Sequence, residues 1–219
     1  MSSQRGKFIV FEGLDGCGKS TQLEKLRVRL NTCCRSAGTR KIFPTREPSD
    51  SIPGVICRAV SKKSIQLSHP ESEALLFACD RYEHIQKEIL PQLQAGNHVL
   101  CDRFFLSNFA YQSNTSSFDS LLHYNSGAIE LATPDITVFI DASPEECERR
   151  RAIERATEEK YEKVEHARLV QKEYQTAIDY FKSQGHRFII VPGDGDPEEI
   201  FEKLWIELTR SVFSEDDYQ

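Results

Sequence analysis

The stretch "FIVFEGLDGCGKST" (Phe8–Thr21) decides how the rest of the chain is read. Its first half, FIVFE, is almost wholly apolar, as expected of a strand buried on both faces of a sheet. Its second half runs glycine, four residues, then Gly18-Lys19-Ser20, which is the spacing of a phosphate-binding loop. A strand leads in, helix-forming residues lead out, and Gly13, Gly16 and Gly18 let backbone N–H groups turn inward around phosphate. In such a loop, Gly13, Leu14, Asp15, Gly16, Cys17, Gly18, Lys19, Ser20 and Thr21 form the nucleoside-triphosphate cradle. Lys19 reaches the β- and γ-phosphates, and the Ser20 hydroxyl joins a magnesium shell. The loop does not say where the phosphoryl group goes.

Four further runs punctuate the chain at strand length: RKIF (40–43), HVLCD (98–102), ITVFID (136–141) and RFIIV (187–191). They are near-continuous rather than alternating, and helical segments lie between them. Leu23, Leu26 and Leu30 recur at helical spacing from Lys19 to about residue 34. A second helix is predicted over roughly 71–94, with Gly96 as its C-terminal cap. Ser143-Pro144-Glu145-Glu146 and Asp196-Pro197-Glu198-Glu199 each read as a capping side chain, a first-turn proline and a glutamate three residues on. QSNTSSFDS (112–120) reads as a polar loop. Strand and helix alternate throughout, which predicts a doubly wound α/β fold with a five-stranded parallel sheet and ligands at the strands' carboxyl ends.

Composition sets limits. The 219 residues suit one α/β domain. The net charge of −6 argues against a broad nucleic-acid-binding surface. No apolar run approaches the roughly 20 residues of a membrane span, and only MSSQRG precedes the first strand. The expectation is therefore a cytoplasmic protein without a membrane or nucleic-acid partner. Its seven cysteines include no C-x-x-C pair, so reduced thiols are expected. No N-K-x-D guanine signature is present.

Asp102, at the tip of VLCD, is a second candidate for the magnesium shell, directly or through water; the alternative is a strand-end salt bridge. Arginines gather where polyanions would meet. Arg46 follows the second strand, Arg103 the third, and Arg149, Arg150, Arg151 and Arg155 lie late in the helix after the fourth. Arg151 and Arg155 share a face if helix persists. The competing reading of that cluster is a solvated face paired with Glu148, Glu154 and Glu158.

With these residues in place the chain resembles the thymidylate kinases, a family of nucleoside monophosphate kinases, from Phe8 to about Tyr180. The resemblance implies transfer of the γ-phosphoryl group of ATP to dTMP, with Mg2+, in a homodimer. It implies that Asp15 meets the acceptor's 3′-hydroxyl and the metal surroundings, and that Arg46 in TREP binds the acceptor phosphate. In LLFACDRYE, Phe77 matches a stacking ring and Arg81 the partner of thymine O4. In DRFFLSNFAYQ, it implies acceptor contacts for Arg103, Ser107, Asn108, Tyr111 and Gln112, with Asn108 at the base edge and Tyr111 over the sugar. RRRAIERATEEKYE resembles a mobile lid, about 149–161, with Arg151 and Arg155 as catalytic cations beside Lys19 and Arg103, and Tyr161 in its closing segment. Three departures stand out: Phe104 where the family has tyrosine, Ser-Asp-Ser after TREP in place of the commoner glycine pair, and Gly16 where some members carry an arginine. The nearest rival is a deoxynucleoside kinase, which needs a general base; Glu47 stands where one would. Other monophosphate kinases lack the joint FxxxR and SNxxY pattern. A nucleotide-sensing module would not require Lys19, Ser20, Asp102 and the lid arginines together.

Overall fold

A computed structural model describes residues 5–37, 40–154 and 160–213, without the side chains of 33–37, 152–154 and 160–163. Among the described residues, β1 (Phe8–Glu12), β2 (Ile42–Arg46), β3 (His98–Asp102), β4 (Ile136–Asp141) and β5 (Phe188–Pro192) form one parallel sheet in the order β2-β3-β1-β4-β5. Every β1 residue is buried, as its unbroken apolar run requires. The order reverses on either side of β1, so a crevice opens beyond the carboxyl ends of β1 and β3. Register sharpens this: Phe11 pairs with Asp102, and Asp102 with Arg46. The phosphate loop, the strand-end acid and the TREP arginine thus leave the sheet at one edge.

β2 extends to Arg46, beyond the predicted 40–43, and carries Pro44 within it. An edge strand tolerates a proline because one side of its backbone has no ladder partner, and β2 is an edge.

Helices α1 (Lys19–Ala37), α2 (Ile52–Ser61) and α3 (Ser72–His84) fill the first half. The helix predicted over 71–94 is continuous in path but changes register. A π-helical segment, Ile85–Ile89, joins α3 to α4 (Leu90–Gln94). Pro91 supplies the reason: it has no N–H, and its ring crowds the carbonyl four residues back, which the wider π turn relieves. Gly96 follows at φ 83°, the conformation a cap demands.

After β3 come α5 (Phe105–Tyr111) and α6 (Phe118–Leu131). Residues 118–120, expected as loop, form the first turn of α6, where the Ser117 side chain accepts from Ser120 N–H. The remaining helices are α7 (Pro144–Glu154), α8 (Lys160–Ser183) and α9 (Pro197–Ser211). Both expected caps are present: Ser143 accepts from Glu146 N–H, and Asp196 from Glu198 and Glu199 N–H. No described helix is long and apolar enough to cross a membrane.

Candidate active site

The loop between β1 and α1 adopts backbone angles that its glycines permit. Gly16 is tightly constrained, at φ 86°, with a Cβ there only 2.6 Å from the Cys147 carbonyl oxygen. The Cγ of Arg151 stands 3.0 Å from the same point. The Cys147 carbonyl therefore stands where any side chain at position 16 would begin, with the stem of Arg151 beside it, so an arginine there would need the loop or α7 to shift.

Lys19 is buried, its ammonium donating to the carbonyls of Gly13 (3.0 Å) and Leu14 (2.7 Å). Ser20 donates to Asp102 at 2.7 Å. These groups line a cavity of about 230 Å3 with Asp15, Gly16, Gly18, Thr21 and Arg103. Ser20 Oγ and Asp102 Oδ2 are two hard oxygen donors at the start of α1. They fit magnesium, which keeps most of its shell as water and phosphate oxygen. No cluster of three His, Cys, Asp or Glu side chains suited to a metal occurs among the described residues, so a cage made by the protein alone is not what this site offers.

A second, larger cleft of about 890 Å3 adjoins it. Its walls include Phe77, Arg81, Arg103, Ser107, Tyr111, Gln112 and Arg151, as well as Glu47 and Pro48. Asp15 and Arg103 line both cavities. Their ion pair, 2.7 Å, is the wall the two share.

Arg103 is held from every side. It donates to Ser107 Oγ (2.8 Å), the Tyr174 hydroxyl (2.8 Å), Asp15 (2.7 Å) and the Tyr111 hydroxyl (3.1 Å), and its guanidinium lies 4.9 Å from the Tyr111 ring centre. Its backbone sits at φ 73°, a left-handed conformation that costs about 1–2 kcal/mol for a residue with a Cβ. Partial burial would raise the Asp15 carboxyl, but Arg103, Lys19 and Arg151 outweigh it and hold it below its ordinary range. Burial pushes the Tyr111 hydroxyl up to about 12 despite Arg103, so it stays protonated.

Below this pair lies Glu12, fully buried at the end of β1. It accepts from Phe104 N–H (2.8 Å), Ser107 N–H (3.2 Å), Ser107 Oγ (2.7 Å) and the Tyr174 hydroxyl (2.9 Å). Burial raises its carboxyl above the usual value, while Arg103 and these donors oppose the rise.

At the far end of the cleft Arg81 is 1% exposed. Its guanidinium pairs with Glu47 (2.8 Å), donates to the Phe104 carbonyl (3.2 Å) and to Asn125, and lies over the Phe104 ring. Glu47 is itself buried and also faces His84 at 3.2 Å.

Not every expected residue reaches a cavity wall. Asn108 does not line the cleft: it is 1% exposed, its oxygen accepting from Asn125 (3.1 Å) and its nitrogen donating to Gln112 (3.0 Å). Arg46 stands at the end of β2 beside Glu47, with a side chain 67% exposed and 3.8 Å from Asp50. Arg151 pairs with Glu148 at 2.5 Å. Arg155 and the side chain of Tyr161 lie outside the described residues.

One arginine of α7 was given no role of its own from the sequence. Arg150 donates to the carbonyls of Cys17 (3.2 Å) and Gly193 (3.0 Å), tying α7 to the loop. With Gly18, Gly195 and Pro197 it lines a third cavity of about 150 Å3. Its signal was its place in Arg149-Arg150-Arg151. Glu12 had a weaker one, as the residue before Gly13, and Tyr174 had none. Among the described residues Cys17, Cys57, Cys79, Cys101 and Cys147 are free, and burial pushes the Cys57 and Cys147 thiols up to about 12.

A phosphate loop on β1, an acid and an arginine at the tip of β3, and a second cleft sharing a wall with the phosphate cavity define a P-loop nucleotide kinase. Residues 11–204 match the family model described as Thymidylate kinase. The chain is 35% identical over 191 residues to a thymidylate kinase of Caldanaerobacter subterraneus, covering 86% of this chain and 88% of that one. It is 34% identical over 215 residues to that of Bradyrhizobium diazoefficiens (94% and 90%). To that of a Synechococcus species it is 31% identical over 219 residues (98% and 92%). The chain belongs to the thymidylate kinase family.

Proposed function

We propose that this enzyme transfers the γ-phosphoryl group of ATP to dTMP, giving ADP and dTDP. The observation that carries the reading is the shared Asp15–Arg103 wall. It supports a triphosphate site and an acceptor cleft lying back to back, and the one carboxylate in that wall, Asp15, is paired with Arg103 and held below its ordinary range, which makes it a poor proton acceptor.

An oxygen of the dTMP phosphate, already ionised, attacks the γ-phosphorus, and the bond to the β-phosphate oxygen breaks. No proton need be removed, so catalysis consists of positioning and charge neutralisation. Lys19 exchanges its loop carbonyls for β- and γ-oxygens. Arg103, fixed by Ser107, Tyr174 and Asp15, faces the meeting phosphates. Arg151 and Arg155 complete the cation set when the 149–161 lid of this single kinase domain closes and excludes water. Ser20 and Asp102 would hold Mg2+, directly or through water, and the ion would neutralise negative charge on the phosphates.

For the acceptor, Phe77 stacks the thymine, Arg81 and Gln112 meet its edge, and Asn108 aligns both from behind. Tyr111 covers the sugar, Asp15 meets the 3′-hydroxyl, Arg46 turns from Asp50 to the phosphate, and Ser107 and Tyr161 close the surround. The cavity beside Arg150 and Gly195 takes the adenine. A deoxynucleoside kinase is disfavoured because Glu47, its would-be base, is locked between Arg81 and His84.

A homodimer is supported by exposed apolar residues on α2 and α3, among them Ile52, Val55 and Leu75. A cytoplasmic setting without nucleic-acid partners suits a small-molecule kinase with a net charge of −6.

The test is ATP consumption with dTMP, dUMP, AMP, UMP and thymidine offered singly. Turnover should be highest with dTMP and absent with thymidine; the reverse order refutes the assignment.

A further inference from the structure

We propose that His84 is a positioning residue for acceptor recognition, holding Glu47 and, through it, Arg81 at the base end of the cleft. The proposal rests on the reading of Arg81 as a base contact and adds what keeps that arginine in place.

His84 lies three residues after Arg81 on α3, hence on the same face, and is 1% exposed without lining the cleft. Its ring spans two polar partners. Nε2 is 2.7 Å from Thr45 Oγ1, and that hydroxyl donates its single proton to Glu88 at 3.0 Å. In that arrangement Thr45 accepts from the imidazole. Nδ1 is 3.2 Å from a Glu47 carboxylate oxygen, which also only accepts. With Thr45 donating to Glu88, both ring nitrogens donate and the ring is the imidazolium, the form that also meets the Glu47 carboxylate.

The charged groups around it agree. Glu47 reaches it from the loop after β2, Glu88 from the π segment at 3.6 Å and Asp80 from α3, while Arg81 takes the other oxygen of Glu47. Burial would lower the His84 pKa, but Glu47, Glu88 and Asp80 raise it overall.

Glu47 divides its oxygens: one faces His84 and the other Arg81 at 2.8 Å. The imidazolium thus fixes the rotation of the carboxylate, and that carboxylate adds an ion pair to the Asn125 and Phe104 contacts that hold the guanidinium. Without His84 the carboxylate can turn away, leaving Arg81 with only the neutral acceptors of Asn108, Asn125 and Phe104. A guanidinium offers donors only, so a fixed Arg81 favours the oxo group of thymine over the amino group that cytosine carries at the same ring position. Loosening Arg81 should weaken dTMP capture and blur the choice between dTMP and dCMP.

The experiment compares KM and kcat for dTMP and dCMP, with melting temperatures, in wild type, His84→Gln, His84→Asn and Arg81→Gln. The asparagine amide nitrogen can stand where Nδ1 stands and donate to Glu47; the glutamine amide reaches on toward Thr45. H84Q should raise KM for dTMP about tenfold, leave kcat within about twofold and narrow the dTMP:dCMP preference, while H84N restores most of the loss. If H84Q does not fold, KM is followed against pH. In wild type it should climb above pH 6.5 as the imidazolium is lost, and in H84N that climb should vanish. Equal damage in both variants, a lower melting temperature with unchanged KM, or a flat wild-type profile would overturn the proposal. If R81Q alone leaves dTMP capture intact, the base-site reading fails independently of His84.

Discussion

Replacing Tyr174 with phenylalanine removes one oxygen from the deepest polar cluster without changing the packing around the ring. That oxygen donates to Glu12 (2.9 Å), accepts from Arg103 (2.8 Å) and contacts Ser107 Oγ (2.9 Å). Neither charged partner is orphaned: Glu12 keeps the Ser107 hydroxyl and two backbone donors, and Arg103 keeps Ser107, Asp15 and Tyr111. The loss is therefore one shared hydroxyl on two charges, about 2–3 kcal/mol in all, with no cavity term. It should also depend on pH. The folded-state pKa of Glu12 already lies above its unfolded value. Its contribution to stability is thus present below the unfolded pKa and lost as pH rises through the folded one. Deleting a donor moves that folded pKa higher, so the deficit of the variant should widen from pH 4.5 toward neutrality. Urea titrations at pH 5 and pH 7.5 measure it, and kcat with dTMP should fall because Arg103 is held by one contact fewer. A deficit below about 0.5 kcal/mol, the scale of an ordinary surface change, or one independent of pH, would show that the cluster does not hold Arg103 in place.

The other expectations follow from the same geometry. Arg46→Ala should harm dTMP capture most, and lysine should not restore it because a bidentate clamp is lost; calorimetric titration of dTMP reads this. Lys19→Ala, titrated in parallel, should bind dTMP nearly as wild type does while turnover collapses. Arg151→Ala should lower kcat more than it raises KM, by up to about a thousandfold if it meets the transferring group only after closure. An unchanged kcat would make Arg151 a partner of Glu148 and nothing more. Tyr111→Ala should relax the preference for dTMP over its ribonucleotide by about a hundredfold. Equal loss for both nucleotides, with a lower melting temperature, would mean that the ring only packs α5.

Much of this site could be read from the chain because its groups sit at element ends that the sequence marks. Gly13–Thr21 follows an unbroken apolar strand, and Asp102 and Arg103 end another; parallel pairing then places them together. What stayed hidden depends on packing between distant segments. Pro44 masked the last residues of β2, since its tolerance there depends on β2 being an edge. Pro91 gave no sign that α3 would pass into a π turn rather than bend. Asn108 was placed at the base edge by the family resemblance alone; in the structure it is buried behind the cleft wall, bonded to Asn125 of α6. Tyr174 carried no signal in the sequence; only the packing of α8 brings its hydroxyl to 2.9 Å from Glu12. The role of Gly16 was read from an absent arginine, and the structure supplies the cause: Arg151 and the Cys147 carbonyl occupy that space.

The central claim is direct transfer from ATP to an acceptor that already carries phosphate, across the Asp15–Arg103 wall and without a base. Phosphorus NMR of the enzyme with Mg2+, ATP and either dTMP or thymidine tests it in one experiment. With dTMP, the signals of dTDP and ADP should grow together in equal amounts, without free phosphate; with thymidine, the spectrum should stay that of ATP. Formation of dTMP from thymidine, or release of free phosphate in place of dTDP, would contradict the account.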